Sequence, residues 1–398
     1  MSSKSKFTFL MFLLGMLSAF GPFVTDLYLP ALPNLAEYFK ATPSSSQLSL
    51  TMSMLGLSIG QLFIGPLSDK YGRKRLLVIC LVLFVFSTMA CIVAPDIVVF
   101  NACRLIQGLA ASGGIVIARS VSADSYRGPV LTKFLAMVSA VNGVAPIAAP
   151  VLGGFLLNFM SWKGTFAVLL LYGFVLLFMA GKFQESLPER RRSQKPVLAS
   201  FTLYGAVFRN RAFVRYFAVC TASMIVLFGY IAASPFIFQK LYGLSPMGFS
   251  FCFALIALCT AIGCATSGKI RSDRTAIKIA GFGVFFASLA VAASLLTHAP
   301  LPLLQASFMV TTFMFGLMQP PASALALNAE RKNAGTASAA MGAAGFLMGG
   351  IASPIVGLGN IAVSASIMLV TGGFLTMLFM IIAKSKMPRS NKIGRKST

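Results

Sequence analysis

Apolar residues recur along nearly the whole chain in uninterrupted runs, and short polar segments separate one run from the next. Most runs hold about 20 residues, which at a rise of about 1.5 Å per residue span a hydrocarbon core about 30 Å thick. The pattern therefore predicts an all-α polytopic membrane protein with twelve transmembrane helices. The predicted helices cover residues 7–31, 47–67, 76–94, 97–119, 131–156, 164–183, 213–237, 247–268, 276–297, 301–325, 334–358 and 361–384.

Composition agrees with this pattern and divides the chain in two. Hydrophobic residues make up 57% and charged residues only 11%, with a mean hydropathy of +0.84, which excludes a soluble globular domain. The longest polar stretch, 182–215, separates the sixth predicted helix from the seventh. We therefore expect an N-terminal six-helix bundle over 1–182, a cytoplasmic linker over 183–212, a C-terminal six-helix bundle over 213–384 and a basic cytoplasmic tail over 385–398.

The formal net charge is +24, which in a soluble protein would suggest a nucleic-acid partner. The distribution of the charge indicates a lipid bilayer instead. All but four of the 33 Lys and Arg residues fall on one side of the predicted topology, the exceptions being Lys40, Lys163, Lys240 and Arg104. Loops rich in Lys and Arg stay in the cytoplasm, so both termini are predicted to be cytoplasmic and no nucleic acid is expected as a partner.

A faint internal repeat relates the two halves at an offset of 204 residues. Asp69 corresponds to Asp273, and Pro150 in the fifth predicted helix corresponds to Pro354 in the eleventh. A repeat of whole six-helix halves implies a pseudo-two-fold axis along the membrane normal. This architecture places a binding cavity at the midplane between the halves and alternates access to it by rocking.

One acid, Asp26, lies in an apolar stretch that otherwise carries no charge, over about 7–36. A charge at that depth costs about 2.5–3.5 kcal/mol on insertion scales, so such residues face a protein interior or an aqueous cavity. Asp26 is therefore a candidate proton carrier. The repeat matches Asp26 with Tyr230 and Arg104 with Phe308, which puts charged groups on the N-terminal wall and aromatic groups on the other.

Arg104 lies on the fourth predicted helix, where its spacing from Gln107, Gly108 and Ala111 puts all four on one helical face. The helical rise places Asp26 about 8 Å and Arg104 about 10 Å below the outer ends of their helices. We therefore expect the two charges to interact in one cavity. A purely structural ion pair is the alternative.

Five further polar or aromatic residues at membrane depth are candidates to line a substrate pocket. Each is equally suited to a hydrogen bond between packed helices. They are Tyr28, Gln107, Asn142, Tyr230 and Gln319. No Walker loop, catalytic triad or metal-ligand spacing is found, and the seven cysteines fall inside predicted helices, so neither an enzyme nor a cofactor is expected.

The loop after the second predicted helix reads Gly65-Pro66-Leu67-Ser68-Asp69-Lys70-Tyr71-Gly72-Arg73-Lys74-Arg75. Gly65 and Gly72 permit tight turns, and Asp69 is spaced to pair with Arg73. The loop resembles the signature of the major facilitator superfamily, in which it is a latch that holds the cytoplasmic side shut. The resemblance implies that Asp69 contacts the start of the eleventh helix, near 335–336. An inert basic turn that sets topology is the alternative.

The fifth predicted helix contains small residues and prolines that permit close approach of a partner helix and kink the backbone. The residues that carry the pattern are Gly143, Pro146, Pro150, Gly153 and Gly154. They resemble the antiporter signature of exporters in this superfamily, although Ala149 stands where the broad pattern has Gly. Generic small-residue packing is the alternative.

Residues 25–33 read TDLYLPALP and resemble the first helix of the bicyclomycin- and chloramphenicol-resistance branch of drug:proton antiporters. The segment around Arg104 resembles the superfamily's fourth-helix signature, whose Arg is linked to proton coupling. Arg119 and Asp124 resemble the end of the same region in that branch. The resemblance implies a monomeric, proton-coupled multidrug exporter in the cytoplasmic (inner) membrane, moving small apolar or amphipathic drug-like compounds by alternating access.

Two other functions stay open at this point. The same fold could take up or export a specific metabolite, because a fold does not determine direction or substrate. A membrane receptor or enzyme without transport activity is the third possibility, although the loop signature and the paired halves argue against it.

Overall fold

The structure is a computed structural model that describes residues 3–126, 128–194, 196–197, 201–270 and 272–385, without the side chains of 3–6, 128–140, 142, 384 and 385. The described chain is helical throughout and contains no strand. Its helices are α1 (Ser3–Ser18), α2 (Phe20–Asp26), α3 (Leu32–Tyr38), α4 (Pro43–Tyr71), α5 (Arg73–Val93), α6 (Ile97–Ser125), α7 (Gly128–Leu156), α8 (Trp162–Lys182), α9 (Phe201–Arg209), α10 (Arg211–Phe236), α11 (Pro246–Ser267), α12 (Asp273–Leu296), α13 (Leu301–Ala329), α14 (Ala334–Val356) and α15 (Ile361–Ser385).

Eleven helical segments of the described chain are long and apolar enough to cross a membrane, and the 29-residue α7 makes the twelfth span. The first span is broken twice, at Ala19 between α1 and α2 and at a 3₁₀ turn, Leu29–Ala31, between α2 and α3. The seventh span ends in a π-turn at Ile237–Leu241. The predicted twelve-helix, all-α fold is therefore confirmed.

Polar side chains in the loops determine where several spans begin. Thr42 accepts a hydrogen bond from Ser45 N and caps α4. Asp96 accepts from Val98 N and Val99 N at the start of α6, and Asn210 caps α10 in the same way. Gly72 separates α4 from α5 with φ at +95°, a conformation that favours glycine. The first amides of these helices thus have partners before the chain enters the apolar region.

The two halves use the same close helix crossings. In the N-terminal half, a Cβ at Gly56 of α4 would lie 2.2 Å from Leu105 O of α6. In the C-terminal half, a Cβ at Gly316 of α13 would lie 2.2 Å from Thr260 O of α11. Glycine is required at both crossings because the backbones approach too closely for any side chain. Packing between the halves runs along two further pairs, α4 with α14 and α7 with α11.

The bundle has two ends, which we name by their loops. The linker face carries the turn around Gly72 and the segment 183–194; the opposite face carries the loops at 39–42 and 242–245. Hydrogen bonds and an ion pair join the two halves at the opposite face. These are Gln47 Nε2 to Ala232 O (3.2 Å), Gln239 Nε2 to Pro30 O (3.0 Å), Ser250 Oγ to Pro150 O (2.7 Å), Ser353 Oγ to Gln47 O (3.1 Å), Ser44 Oγ to Pro354 O (3.4 Å) and the pair Lys240–Glu37.

The segment between the halves contains a helix that the sequence reading treated as linker. Its helix α9 contacts α10 and α14 of the C-terminal half. It also reaches α4 of the other half, where Tyr204 donates to Leu62 O at 3.4 Å and Phe201 packs on Phe63 with ring centroids 4.9 Å apart. The linker thus bridges both halves. Most of the predicted basic tail, 386–398, lies outside the described residues.

Candidate functional site

A cavity of about 610 Å³ lies between the two halves. From the N-terminal half, α2 contributes Thr25 and Asp26 while α7 contributes Gly143 and Pro146. The C-terminal half supplies a mostly apolar wall from α10, α11 and α14, made of Leu227, Phe228, Tyr230, Ile231, Phe253, Ile256, Ala257, Thr260, Ala261, Cys264 and Phe346. Its volume lies within the range of about 300–1,000 Å³ typical of small-molecule sites.

Asp26 lies where the first span is broken. The helix α2 ends at Asp26, and Pro30 in the following 3₁₀ turn supplies no backbone donor to continue it. The side chain is 5% exposed, and the Thr25 hydroxyl lies 2.7 Å from its Oδ1 and 2.9 Å from Gly21 O. Within the described part of the chain, no Lys or Arg forms an ion pair with Asp26. The acid therefore faces the cavity with one hydroxyl as its partner.

Aromatic rings form the facing wall. The Tyr230 ring stacks on Phe253 with centroids 5.4 Å apart and packs against Phe308 at 4.9 Å. The repeat had matched Tyr230 with Asp26 and Phe308 with Arg104, and Tyr230 indeed lines the same cavity as Asp26. The division into a charged N-terminal wall and an aromatic C-terminal wall thus holds for these two residues.

Arg104 does not face this cavity. The side chain is fully buried inside the N-terminal half, where Nη2 donates to Val24 O at 2.9 Å and Nη1 donates to Gln107. Its guanidinium lies 4.3 Å from the centroid of the Tyr28 ring, a cation–π contact. The expectation that Asp26 and Arg104 interact in one cavity is therefore wrong for this structure. Equal depth along two helices does not imply equal direction, and Arg104 points toward Tyr28.

Among the polar candidates, Tyr230 lines the cavity and three others do not. Tyr28 is buried beneath Arg104 with its hydroxyl 3.1 Å from Ser49 Oγ, and Gln107 joins Arg104 to Thr88. Gln319 donates to Ser223 Oγ at 2.8 Å. These three side chains make the helix-packing hydrogen bonds that were the alternative. The side chain of Asn142 lies outside the described residues.

The glycines of α7 have different surroundings. A Cβ at Gly143 would meet nothing within 4 Å, so this residue borders the cavity instead of packing closely. A Cβ at Gly153 would lie 1.9 Å from Leu27 O, which keeps α7 against the broken first span. At Gly154 it would lie 2.2 Å from Ser250 Oγ of α11 and 2.9 Å from Pro246 O. Close approach between the halves thus depends on Gly154, while Pro146 lines the cavity and Pro150 O accepts from Ser250.

A charged network surrounds the turn at Gly72. Arg73 pairs with Asp69 at 2.6 Å and with Asp124 of α6 at 3.0 Å. Glu185, in the segment after α8, accepts hydrogen bonds from Arg73 N and Lys74 N, both at 3.1 Å. This carboxylate caps the N-terminus of α5, where a negative charge is stabilising. The network ties the linker segment to the N-terminal half.

Asp69 and the start of the eleventh span, which were predicted to be in contact, border one cavity. Asp69 lines a second cavity of about 400 Å³ together with Gly335 and Thr336, and its carboxylate pairs with Arg73. No hydrogen bond joins Asp69 to either residue in the described chain. Gly65 borders the same cavity. The latch role of this loop stays a prediction.

Three residues at these sites were not among the sequence-based candidates. Thr25 was read only as part of a motif, although a hydroxyl next to the acid along a helix is a visible signal. Glu185 lies 112 positions from Arg73, and no local spacing connects the two residues. The same applies to Phe253, whose place on the cavity wall depends on how α11 is rotated.

The broken first span, the paired six-span halves and the central cavity define a membrane transporter fold. The chain belongs to the Major Facilitator Superfamily, whose family model matches residues 8–354. It is therefore a multi-pass membrane transporter and not an enzyme.

Relatives of the chain agree with this family. It is 34% identical over 390 residues to the Bacillus subtilis protein named "Uncharacterized MFS-type transporter YdgK", covering 96% of this chain and 97% of that one. It is 26% identical to a bicyclomycin resistance protein homolog of Haemophilus influenzae, covering 63% of each chain. It is also 26% identical to multidrug resistance protein D of Escherichia coli, covering 62% of each chain.

Solved structures share the fold. The xylose transporter XylE of E. coli, in a partially occluded inward-open conformation, matches with a TM-score of 0.75 at 13% identity, covering 96% of this chain and 98% of that one. The human organic anion transporter MFSD10 matches with a TM-score of 0.70 at 17% identity, covering 95% of this chain and 99% of that one. At these identities the likeness concerns the fold alone.

Proposed function

We propose that this transporter is a drug:proton antiporter that exports small apolar or amphipathic compounds across the cytoplasmic membrane, with both termini in the cytoplasm. The observation that carries the proposal is Asp26, a buried acid that faces a largely apolar cavity of about 610 Å³ between the two halves. Two relatives of the chain, named a bicyclomycin resistance protein homolog and a multidrug resistance protein, support the choice of drug-like substrates.

Coupling follows from the setting of this acid. No basic side chain pairs with Asp26 in the described chain. The charged carboxylate therefore has only the Thr25 hydroxyl to stabilise it, and the alternative is neutralisation by a proton. Protonation removes the cost of a charge beside apolar walls and so favours states in which the acid is sealed from water. A substrate in the same cavity competes for that space. Proton and substrate thereby favour different conformations, which is the requirement for exchange.

Arg104 has a different role in this proposal. Its guanidinium is not part of the cavity lining and is held by Val24 O, Gln107 and the Tyr28 ring. Val24 precedes Thr25 and Asp26 in α2. Arg104 therefore positions the segment that carries the acid and does not itself exchange the proton.

The test replaces Asp26 with Asn in inverted membrane vesicles that carry an imposed pH gradient. Chloramphenicol serves as a neutral probe and a lipophilic cation as a charged one. We expect Asp26→Asn to abolish proton-driven transport while substrate exchange without a gradient persists. The matched control is Asp96→Asn, an exposed cap of α6 at which Asn also caps well. Full gradient-driven transport by Asp26→Asn would refute the assignment.

A further inference from the structure

The side chain of Tyr230 is buried, lines the central cavity and leaves its hydroxyl without a hydrogen-bond partner in the described chain. By contrast, the hydroxyl of the buried Tyr28 lies 3.1 Å from Ser49 Oγ, and the half-buried Tyr172 donates to Met16 O at 2.6 Å. Buried donors that lack a partner are rare in folded proteins because desolvation is not compensated. The Tyr230 hydroxyl therefore points to a partner that enters the cavity.

The Tyr230 ring is held in place from the C-terminal half. Its two neighbours, Phe253 at 5.4 Å and Phe308 at 4.9 Å between ring centroids, fill the space around the ring. Phe308 is fully buried and Phe253 is 3% exposed. The hydroxyl consequently has a fixed position, which is the property of a group that recognises a ligand atom.

The other hydroxyl groups on the cavity wall already have partners. The Thr260 hydroxyl donates to Ile256 O at 3.4 Å, and the Thr25 hydroxyl lies between Gly21 O and Asp26. No Lys or Arg lines the cavity in the described chain. The site thus offers one unused hydroxyl donor, one acid and extensive aromatic and aliphatic surface.

We propose that the Tyr230 hydroxyl donates a hydrogen bond to an acceptor oxygen of the transported compound, and that the site takes neutral ring compounds bearing a carbonyl-type acceptor. The inference rests on the proposed function, because it takes this cavity as the transport site. A neutral compound leaves Asp26 free to bind and release its proton, whereas a cation would pair with the acid. Ring surfaces match Phe253 and Phe228, and the carbonyl supplies the partner that Tyr230 lacks.

The experiment combines two ligands with two proteins. Benzophenone and diphenylmethane have the same two rings and differ in the carbonyl oxygen. Binding of each radiolabelled compound to the purified full-length chain and to Tyr230→Phe is measured by equilibrium dialysis. Partition into detergent affects both proteins equally, so the affinity ratio between them cancels it. We expect Tyr230→Phe to lower the affinity for benzophenone about tenfold, or ~1.4 kcal/mol, and to leave the affinity for diphenylmethane unchanged.

The control is Tyr242→Phe, which removes a phenol that donates to Ala299 O at 2.7 Å outside the cavity. It should leave both affinities at the wild-type value. Thermal unfolding of Tyr230→Phe without ligand should occur at the same temperature or higher, because the substitution removes only an unpaired hydroxyl. Folding of the variant is thereby checked independently of binding.

Two results would overturn the proposal. Tyr230→Phe could weaken the binding of both compounds equally, which would mean that the hydroxyl maintains the shape of the cavity wall and does not bond to the carbonyl. The ratio of benzophenone affinity to diphenylmethane affinity could also be the same in the wild-type chain as in the variant. The test of the proposed function is separate: if Asp26→Asn keeps proton-driven transport while the carbonyl effect persists, proton coupling through Asp26 fails and the recognition by Tyr230 stands.

Discussion

Gly154 offers a sharp test of how the two halves meet. The residue lies on α7 at the opposite face, and a Cβ built there would lie 2.2 Å from Ser250 Oγ and 2.9 Å from the backbone oxygen of Pro246. The substitution Gly154→Ala would therefore push α7 from α11, and the hydrogen bond from Ser250 to Pro150 O at 2.7 Å would be lost.

The magnitude follows from these two terms. Overpacking of a tight contact costs about 1–3 kcal/mol, and a lost neutral hydrogen bond costs about 1 kcal/mol. Both penalties apply only while the opposite face is closed. A combined ~2–4 kcal/mol would lower the ratio of closed to open states by about 30-fold to 700-fold, taking about 1.4 kcal/mol per factor of ten.

The assay is the distance between spin labels on exposed sites of the two halves, Tyr38 on α3 and Leu241 after α10, in a background without reactive cysteines. We expect Gly154→Ala to shift the distribution to longer distances. The matched control is Gly143→Ala on the same helix, where a Cβ meets nothing within 4 Å. If both variants give the wild-type distribution, the contact at Gly154 does not control closure of this face.

Two further predictions concern the linker and the opposite face. Glu185→Gln should lower the free energy of unfolding by about 1 kcal/mol, because a charged cap of α5 is replaced by a neutral one. The control is Glu189→Gln, which should have no effect in the same unfolding assay because the Glu189 carboxylate is 87% exposed. The ion pair between Glu37 and Lys240 joins the halves, so the double variant Glu37→Cys and Lys240→Cys, cross-linked by a short cleavable bifunctional thiol reagent, should not transport until reductant is added. Unchanged transport by the cross-linked protein would show that the pair need not separate.

Several features could be predicted from the chain alone because lipid leaves few solutions. Without water in the hydrocarbon core, every backbone group must bond within its own helix, so apolar length translates directly into spans. The break in the first span was not predicted: one helix was expected over 7–31, whereas the span covers Phe7–Tyr38 and contains a 3₁₀ turn at Leu29–Ala31, where Pro30 supplies no amide donor. A lone acid in such a span must find a cavity or a partner, and Asp26 faces a cavity.

The direction of each side chain could not be predicted in this way. Asp26 and Arg104 were placed at similar depth, yet the rotation of α6 turns Arg104 toward Tyr28 and Val24, where a ring and a carbonyl hold its charge. Gln319 was one of five equivalent candidates and bonds to Ser223. A helix has several faces at every depth, and only packing against its neighbours selects one of them.

The sequence by itself determined the membrane environment, the all-α fold and the number of spans. These depend on hydropathy and backbone bonding, which act locally. The tertiary structure alone decided that Tyr230 and Phe253 line the same cavity as Asp26, that Arg104 bonds to Val24 O instead, and that Glu185 caps a helix 112 positions away. Such contacts arise from helix rotation and approach, which depend on the shapes of all neighbouring helices at once.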